Sequence, residues 1–97
     1  MRVLSKSTLR TFWEAHTDAE QALKAWYKEI SEHSWPNPND LKSDYPSASL
    51  LGDGRTVFNI KGNTYRLIVR INYTKQLCFV RFIGTHAEYD KVDAKTI

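Results

Sequence analysis

The sequence predicts an α+β fold in which N-terminal helices pack on a small antiparallel β-sheet. Three observations carry that expectation: helical spacing of apolar residues between Leu9 and Ile30, three runs rich in β-branched and aromatic residues after Gly54, and a stretch dense in turn formers between them. At 97 residues, with 41% hydrophobic and 12% aromatic residues, the chain suits a single domain spanning residues 1–97 around one ordinary core. A domain of this size buries roughly 60 to 65% of its unfolded surface, so a deep cavity for a large cofactor would compete with the core for side chains. Surface chemistry is the expectation.

In the N-terminal part Leu9, Phe12 and Trp13, then Ala22, Leu23, Trp26, Tyr27 and Ile30, recur at helical spacing. Thr17-Asp18-Ala19-Glu20 has the form of a capping box, in which a hydroxyl and a carboxylate satisfy the free amides of a helix start. One helix therefore ends near His16 and a second begins there. Trp13 and Trp26 belong to the core or an interface rather than to a base-stacking surface. From Ser34 to Gly54 the chain passes through Trp35-Pro36-Asn37-Pro38-Asn39-Asp40 to Pro46, Ser47, Ser49, Gly52, Asp53 and Gly54, which predicts a loop with one helical turn after Asn39.

The strand-like runs are Arg55 to Ile60, Thr64 to Tyr73 and Gln76 to Gly84. Gly62-Asn63 suits a two-residue hairpin with glycine at the first turn position, and Thr74-Lys75 forms the tip of a second, giving an antiparallel meander. Closing the hairpins there pairs Phe58 with Leu67, Ile60 with Tyr65, Leu67 with Phe82, Val69 with Val80 and Ile71 with Cys78, all on one apolar face. The opposite face collects Val57, Asn59, Lys61, Arg66, Ile68, Arg70, Asn72, Leu77, Phe79 and Arg81, with Arg81 opposite Ile68. A slip of one residue would mix arginines into the core, so the clean partition supports the register.

Charge follows the same division. The net charge is +3, but residues 1–53 carry −2 and residues 54–97 carry +5, so the positive field belongs to the strand-rich half. The single cysteine, Cys78, lies in an apolar run; it excludes an internal disulfide, suits a reducing compartment and reads as core. Met1-Arg2-Val3-Leu4-Ser5-Lys6 lacks the apolar stretch of a secretion signal, and no window approaches a membrane span, so a cytoplasmic protein without a membrane partner is expected.

Arg66 and Arg70 stand four residues apart on one strand, about 13 Å, comparable to two phosphate steps along an extended single strand. With Asn59, Lys61 and Arg81 nearby, forked guanidinium donors suit an RNA backbone. The same residues also fit a solvated sheet face whose arginine stems cover Ile68 and Phe79. After the third strand, Thr85-His86-Ala87-Glu88-Tyr89-Asp90-Lys91 carries a second capping box, Thr85 with Glu88, and starts a short helix on which His86 and Tyr89 share a face. Histidine moves protons near neutral pH, and tyrosine stacks on bases or donates to phosphate. A lone histidine is also compatible with a purely structural role. His16, His33 and His86 lie far apart, His86 with Asp90 makes only half a metal site, and no glycine-rich phosphate loop, nucleophilic elbow or dinucleotide fingerprint occurs, so neither metal nor cofactor is expected.

At these residues the chain resembles the HigB-type toxins of bacterial toxin–antitoxin pairs, related in fold to RelE-like ribonucleases. The resemblance spans nearly the whole chain. Its more specific parts are Val57-Phe58-Asn59-Ile60-Lys61-Gly62-Asn63-Thr64-Tyr65-Arg66-Leu67 and Gly84-Thr85-His86-Ala87-Glu88-Tyr89-Asp90-Lys91, with Asp40-Leu41-Lys42 and Tyr45-Pro46-Ser47 in support. It implies a RelE-like domain acting as an endoribonuclease on mRNA on the ribosome, neutralised by a HigA-type helix-turn-helix antitoxin. It further implies metal-independent cleavage by a ribose 2′-hydroxyl. On this reading His86 transfers protons, Arg66 and Arg70 stabilise phosphate charge, Tyr89 positions a base, and Asn59, Lys61, Arg81 and Lys91 line or hold the backbone, although Lys91 also suits a helix cap.

Two other functions remain compatible with the residues. One is a non-catalytic RNA-binding module using the same arginine face. The other is a ParE-like toxin of the same fold acting on gyrase, in which protein contact rather than RNA chemistry is primary.

Overall fold

Strand β4 (Tyr65–Asn72) is the spine of the computed structural model, which describes residues 1–97. The chain order is β1 (Arg2–Leu4), α1 (Lys6–Ala15), a 3-10 turn (Thr17–Ala19), α2 (Glu20–Glu32), α3 (Pro38–Asp44), β2 (Ser49–Gly52), β3 (Arg55–Ile60), β4, β5 (Leu77–Thr85) and α4 (His86–Tyr89). The strands form one five-stranded sheet in the order β1-β5-β4-β3-β2. The fold is α+β, as the patterning predicts.

The central meander is antiparallel, with Phe58 opposite Leu67, Ile60 opposite Tyr65, Val69 opposite Val80 and Ile71 opposite Cys78, as the apolar pattern requires. Both turn tips also agree: Thr64 N donates to Lys61 O at 3.2 Å across Gly62-Asn63, and Asn72 Oδ1 accepts from Lys75 N at 3.0 Å at the second hairpin. Two short strands extend the meander beyond the sequence expectation. β2 pairs antiparallel with β3, and β1 pairs parallel with β5 through Val3 opposite Cys78, making the sheet mixed.

One pairing departs from the expected register. Between Ile68 and Val69 the ladder shifts by one residue, so Leu67 faces Ile83 rather than Phe82, and Ile68 faces Phe82 rather than Arg81. Arg81 is the extra residue of a β-bulge, a device that locally bends a strand and re-aims a side chain.

Helices α1 and α2 cover one face of the sheet. Leu9 and Trp13 from α1, and Leu23, Trp26 and Ile30 from α2, enter a core with Phe58, Ile60, Tyr65, Leu67, Val69, Ile71, Cys78 and Val80. Trp13 and Trp26 are core residues, and Cys78 is fully buried. Thr17 forms no capping box: the turn at Thr17–Ala19 has no side-chain cap. Asp18 is used differently, its carboxylate accepting from the Tyr65 hydroxyl and from Lys61 Nζ at 2.9 Å, which ties the helix connection to the β3–β4 hairpin. Helix α3, longer than the single turn expected, starts at Asn37, whose Oδ1 accepts from Asp40 N at 2.9 Å, with Pro38 in its first turn.

The other face is not left bare. Val57 and Ile68 point away from the helices yet are 1% and 0% exposed. The chain after β5 folds back over them: α4 packs on β4 and β5, and Arg55 Nε donates to the Ile97 carbonyl at 3.0 Å.

Two outcomes test this packing. Gly54 has φ +76°, and a Cβ there would sit 2.2 Å from the Ile71 carbonyl oxygen. Gly54→Ala should therefore destabilise the fold by about 2 kcal/mol or more, read as a lowered denaturation midpoint; an unchanged midpoint would contradict the close approach. Burial pushes the Cys78 thiol up to about 12. The folded protein should be inert to a thiol reagent at pH 8 and react fully once unfolded in guanidinium.

Candidate active site

The last strand runs directly into the site. Thr85 caps α4 in the capping box the sequence predicts: its hydroxyl accepts from Glu88 N at 3.2 Å, and its own N–H donates to Glu88 Oε1 at 2.8 Å. A four-residue helix forms poorly alone, so this reciprocal cap is what fixes His86 and Tyr89 on one side. Their rings meet edge to face with centroids 6.4 Å apart. Gly84 makes room beneath them, since a Cβ there would meet Phe82 at 2.6 Å and Glu88 at 3.1–3.2 Å.

Arg66 reaches this helix from β4. Its Nη2 lies 2.8 Å from His86 Nε2 and donates to Asn63 Oδ1 at 3.2 Å, and its guanidinium carbon stands 5.2 Å from the Tyr89 ring centroid. A guanidinium only donates, so in this contact Nε2 is the acceptor. Asp90 Oδ2 lies 3.9 Å from Nδ1, beyond hydrogen-bond range. Arg66 has no carboxylate partner, and its Nε is buried without a hydrogen bond. A full positive charge is thus held without a carboxylate partner, against an imidazole nitrogen that it engages, an arrangement suited to an anionic group that takes the guanidinium and frees that nitrogen for proton transfer.

The remaining expected residues divide. Asn59 sits opposite Arg66 on β3, half-buried and on the same face. Lys91 follows α4, exposed, with its N–H donating to Glu88 O at 3.1 Å. Lys61 turns away: the left-handed conformation at the hairpin (φ +53°) sends its ammonium to Asp18. Arg70 is not beside His86 either. Its Nη2 pairs with Asp53 Oδ2 at 2.9 Å and its Nε donates to Asp53 O at 3.2 Å, at the far end of the same face, where Arg81 also lies. Arg66, His86 and Tyr89 therefore form one centre, and Arg70 and Arg81 another.

Sequence reasoning passed over Asp53 and Arg55. Arg55 Nη1 pairs with Asp53 Oδ2 at 3.0 Å, so one carboxylate bridges two arginines. Hydrogen bonding to Arg70 first, and its charge, hold the Asp53 carboxyl below the ordinary range. Asp53-Gly54-Arg55 reads locally as a turn, and only the pairing of Arg55 with Arg70 across the strands reveals its use.

The fold and site define a small basic α+β protein with an arginine–imidazole–phenol cluster on the open face of its sheet. A family model, described as HigB_toxin, the RelE-like toxic component of a toxin-antitoxin system, matches residues 19–92, and the chain belongs to that family. It is 28% identical over 92 residues to the mRNA interferase toxin HigB of Escherichia coli (strain K12), covering 93% of this chain and 88% of that protein. Similarity to the mRNA interferase HigB of Escherichia coli O6:H1 (strain CFT073) is 28% over 94 residues, covering 95% and 91%. The mRNA interferase HigB of Shigella flexneri is likewise 28% identical over 92 residues. An antitoxin is the counterpart that membership of such a system supplies. No helix is long and apolar enough to cross a membrane.

The cap that carries His86 is pH-sensitive. The Thr85 backbone N–H, then its hydroxyl, hold the Glu88 carboxyl below its ordinary value. A depressed folded value means the contact is fully present above the unfolded pKa of about 4.3 and is lost as pH falls through the folded one. Hydrogen-exchange protection of the Thr85 amide, corrected for intrinsic rate, should hold down to about pH 4.3 and fall below it. In Glu88→Gln, which keeps a capping side chain without a titrating one, that fall should disappear.

Proposed function

We propose that this chain is an endoribonuclease of the mRNA interferase kind, cutting messages on the ribosome in the cytoplasm, and held in check by a HigA-type helix-turn-helix antitoxin. The observation that carries the reading is the contact of the Arg66 guanidinium with His86 Nε2 beside the Tyr89 ring. The names of the 28%-identical relatives support the substrate.

The chemistry follows from the groups present, with no metal ion required to supply charge. A substrate phosphate takes the Arg66 donors and releases His86 Nε2. That nitrogen accepts the 2′-hydroxyl proton while O2′ forms a bond to phosphorus and the bond from phosphorus to O5′ breaks. The leaving O5′ takes a proton from an acid; the returning His86 proton or the Tyr89 hydroxyl is placed to provide it. Arg66 stabilises charge gathering on the non-bridging oxygens, where a preorganised cation acts most strongly. Tyr89 offers a ring for a neighbouring base, and Asn59 and Lys91 border the path.

Cleavage of a message in a translating extract tests this. His86→Ala should lower kcat by about 10²- to 10⁴-fold, and Arg66→Ala by about 10²- to 10³-fold, with folding unchanged by circular dichroism. Intact messages accompanied by DNA breaks in cells expressing the wild-type chain would reject RNA cleavage and favour the gyrase-directed reading.

A further inference from the structure

The far end of the open face holds a second feature that the reaction centre does not use. A hollow of about 620 Å³ lies between Arg70, Arg81, Phe79, Asp53, Asn72 and Tyr73, within the range of about 300–1,000 Å³ typical of small-ligand sites. Its aromatic floor is Phe79, which points away from the helices, stands opposite Arg70 in the ladder and is half-buried. Arg81, two residues further along β5 on the same face, takes neither an ion-pair nor a hydrogen-bond partner. Arg70 is engaged only with Asp53, whose side chain is 69% exposed.

We propose that this hollow is a nucleotide subsite: Phe79 takes the face of a base about two nucleotides from the cut, Arg70 and Arg81 hold its phosphate, and Asp53 is the internal carboxylate that the phosphate displaces. The proposal rests on the endoribonuclease reading and extends it along the strand.

Four observations converge. The spacing fits, because Arg66 and Arg70 are four residues apart on β4, about 13 Å. The chemistry fits, because an aromatic face flanked by guanidinium groups is how single-stranded nucleic acid is gripped, with base stacking on the ring and phosphate on the forked donors. The register fits, since alternation along β5 sets Arg81 on the same face as Phe79, two residues away. Finally, Asp53 already occupies the Arg70 fork as a phosphate would, and Arg55 provides its alternative partner at 3.0 Å once Arg70 is taken. The carboxylate therefore moves from bridging two arginines to pairing with one, and no charge is stranded.

The test is cleavage of a message on translating ribosomes by the full chain, with KM and kcat measured separately. Phe79→Leu should raise KM about 5- to 100-fold, Arg70→Ala and Arg81→Ala should each raise it about 10-fold, and kcat should stay within about twofold because no reacting atom is touched. Asp53→Asn should lower KM, since it removes the competitor. An abasic nucleotide two positions from the cut, on one side only, should weaken the wild type as much as Phe79→Leu does and add nothing to that variant. Unchanged KM in Phe79→Leu and Arg81→Ala, or an abasic effect additive with Phe79→Leu at every position, would overturn the subsite while leaving the reaction centre standing. Variants that cut normally but escape the antitoxin would also overturn it and give the surface to that protein. A wild type that leaves the message whole removes the nuclease reading itself, a result distinct from either.

Discussion

Tyr65, Leu67, Val69 and Ile71 on β4 point into the helical core, while Arg66, Ile68 and Arg70 alternate with them toward the other side. Alternation on a strand admits only two settings, and the wrong one would place two guanidinium groups beneath Trp26 and Leu23 at a cost of several kcal/mol each. That constraint fixes β3 and β5 in register on either side. It also decides where the chemistry can be, since every catalytic candidate borrowed from the sheet must lie on the face that the first two helices leave open. Asp18 reinforces the setting from the core side: with Tyr65 and Lys61 bound to it, the β3–β4 hairpin cannot slip without breaking both contacts.

Much of this was legible because it is local. Alternation over Phe58–Ile60 and Tyr65–Ile71, and the turn formers Gly62-Asn63, suffice to place the first hairpin and its core pairs. The Thr85–Glu88 cap was readable for the same reason, being complete within four residues. What escaped notice depends on distant partners. β1 is three residues long and exists because β5 offers its edge to Arg2–Leu4 in parallel, a pairing separated by more than seventy positions. Thr17 matches a capping box in letters, yet Asp18 has a stronger claim from Lys61 and Tyr65. The bulge at Arg81 leaves no local mark, because Val80, Arg81 and Phe82 alternate normally in sequence. Of the supporting motifs, Lys42 and Tyr45 prove structural: Lys42 Nζ donates to the carbonyls of Pro46 and Ala48, and Tyr45 donates to Glu29 at 2.8 Å.

The two arginines that a sequence treats alike end in opposite electrostatic conditions, and the difference comes from the chain on either side of the meander. Arg66 meets only Asn63, His86 and the face of Tyr89, none of which is a carboxylate that would cancel its charge. Arg70 meets Asp53, a carboxylate projected by the turn before β3. An uncompensated cation strengthens whatever anion replaces its neutral neighbours, whereas a compensated one exchanges one anion for another and gains less. The first condition suits a group that must respond to charge developing in a transition state, and the second suits a group that holds and releases a strand.

Burial explains why the end of the face that carries His86 keeps that contrast. Val57 and Ile68 are sealed under the chain that follows β5, so the open face is a narrow floor with polar groups at both ends and apolar ground between. Low-dielectric ground beneath the guanidinium groups lets their fields extend outward with less screening than on a fully wet sheet. The same tail that presents His86 and Tyr89 also dries the floor on which Arg66 rests, and Thr85 sets both, since its cap begins α4 where β5 ends. The geometry of the arginine–imidazole–phenol cluster and its electrostatic setting are thus consequences of one strand-to-helix junction, which places the imidazole within reach of a charge that the sheet alone would leave facing water.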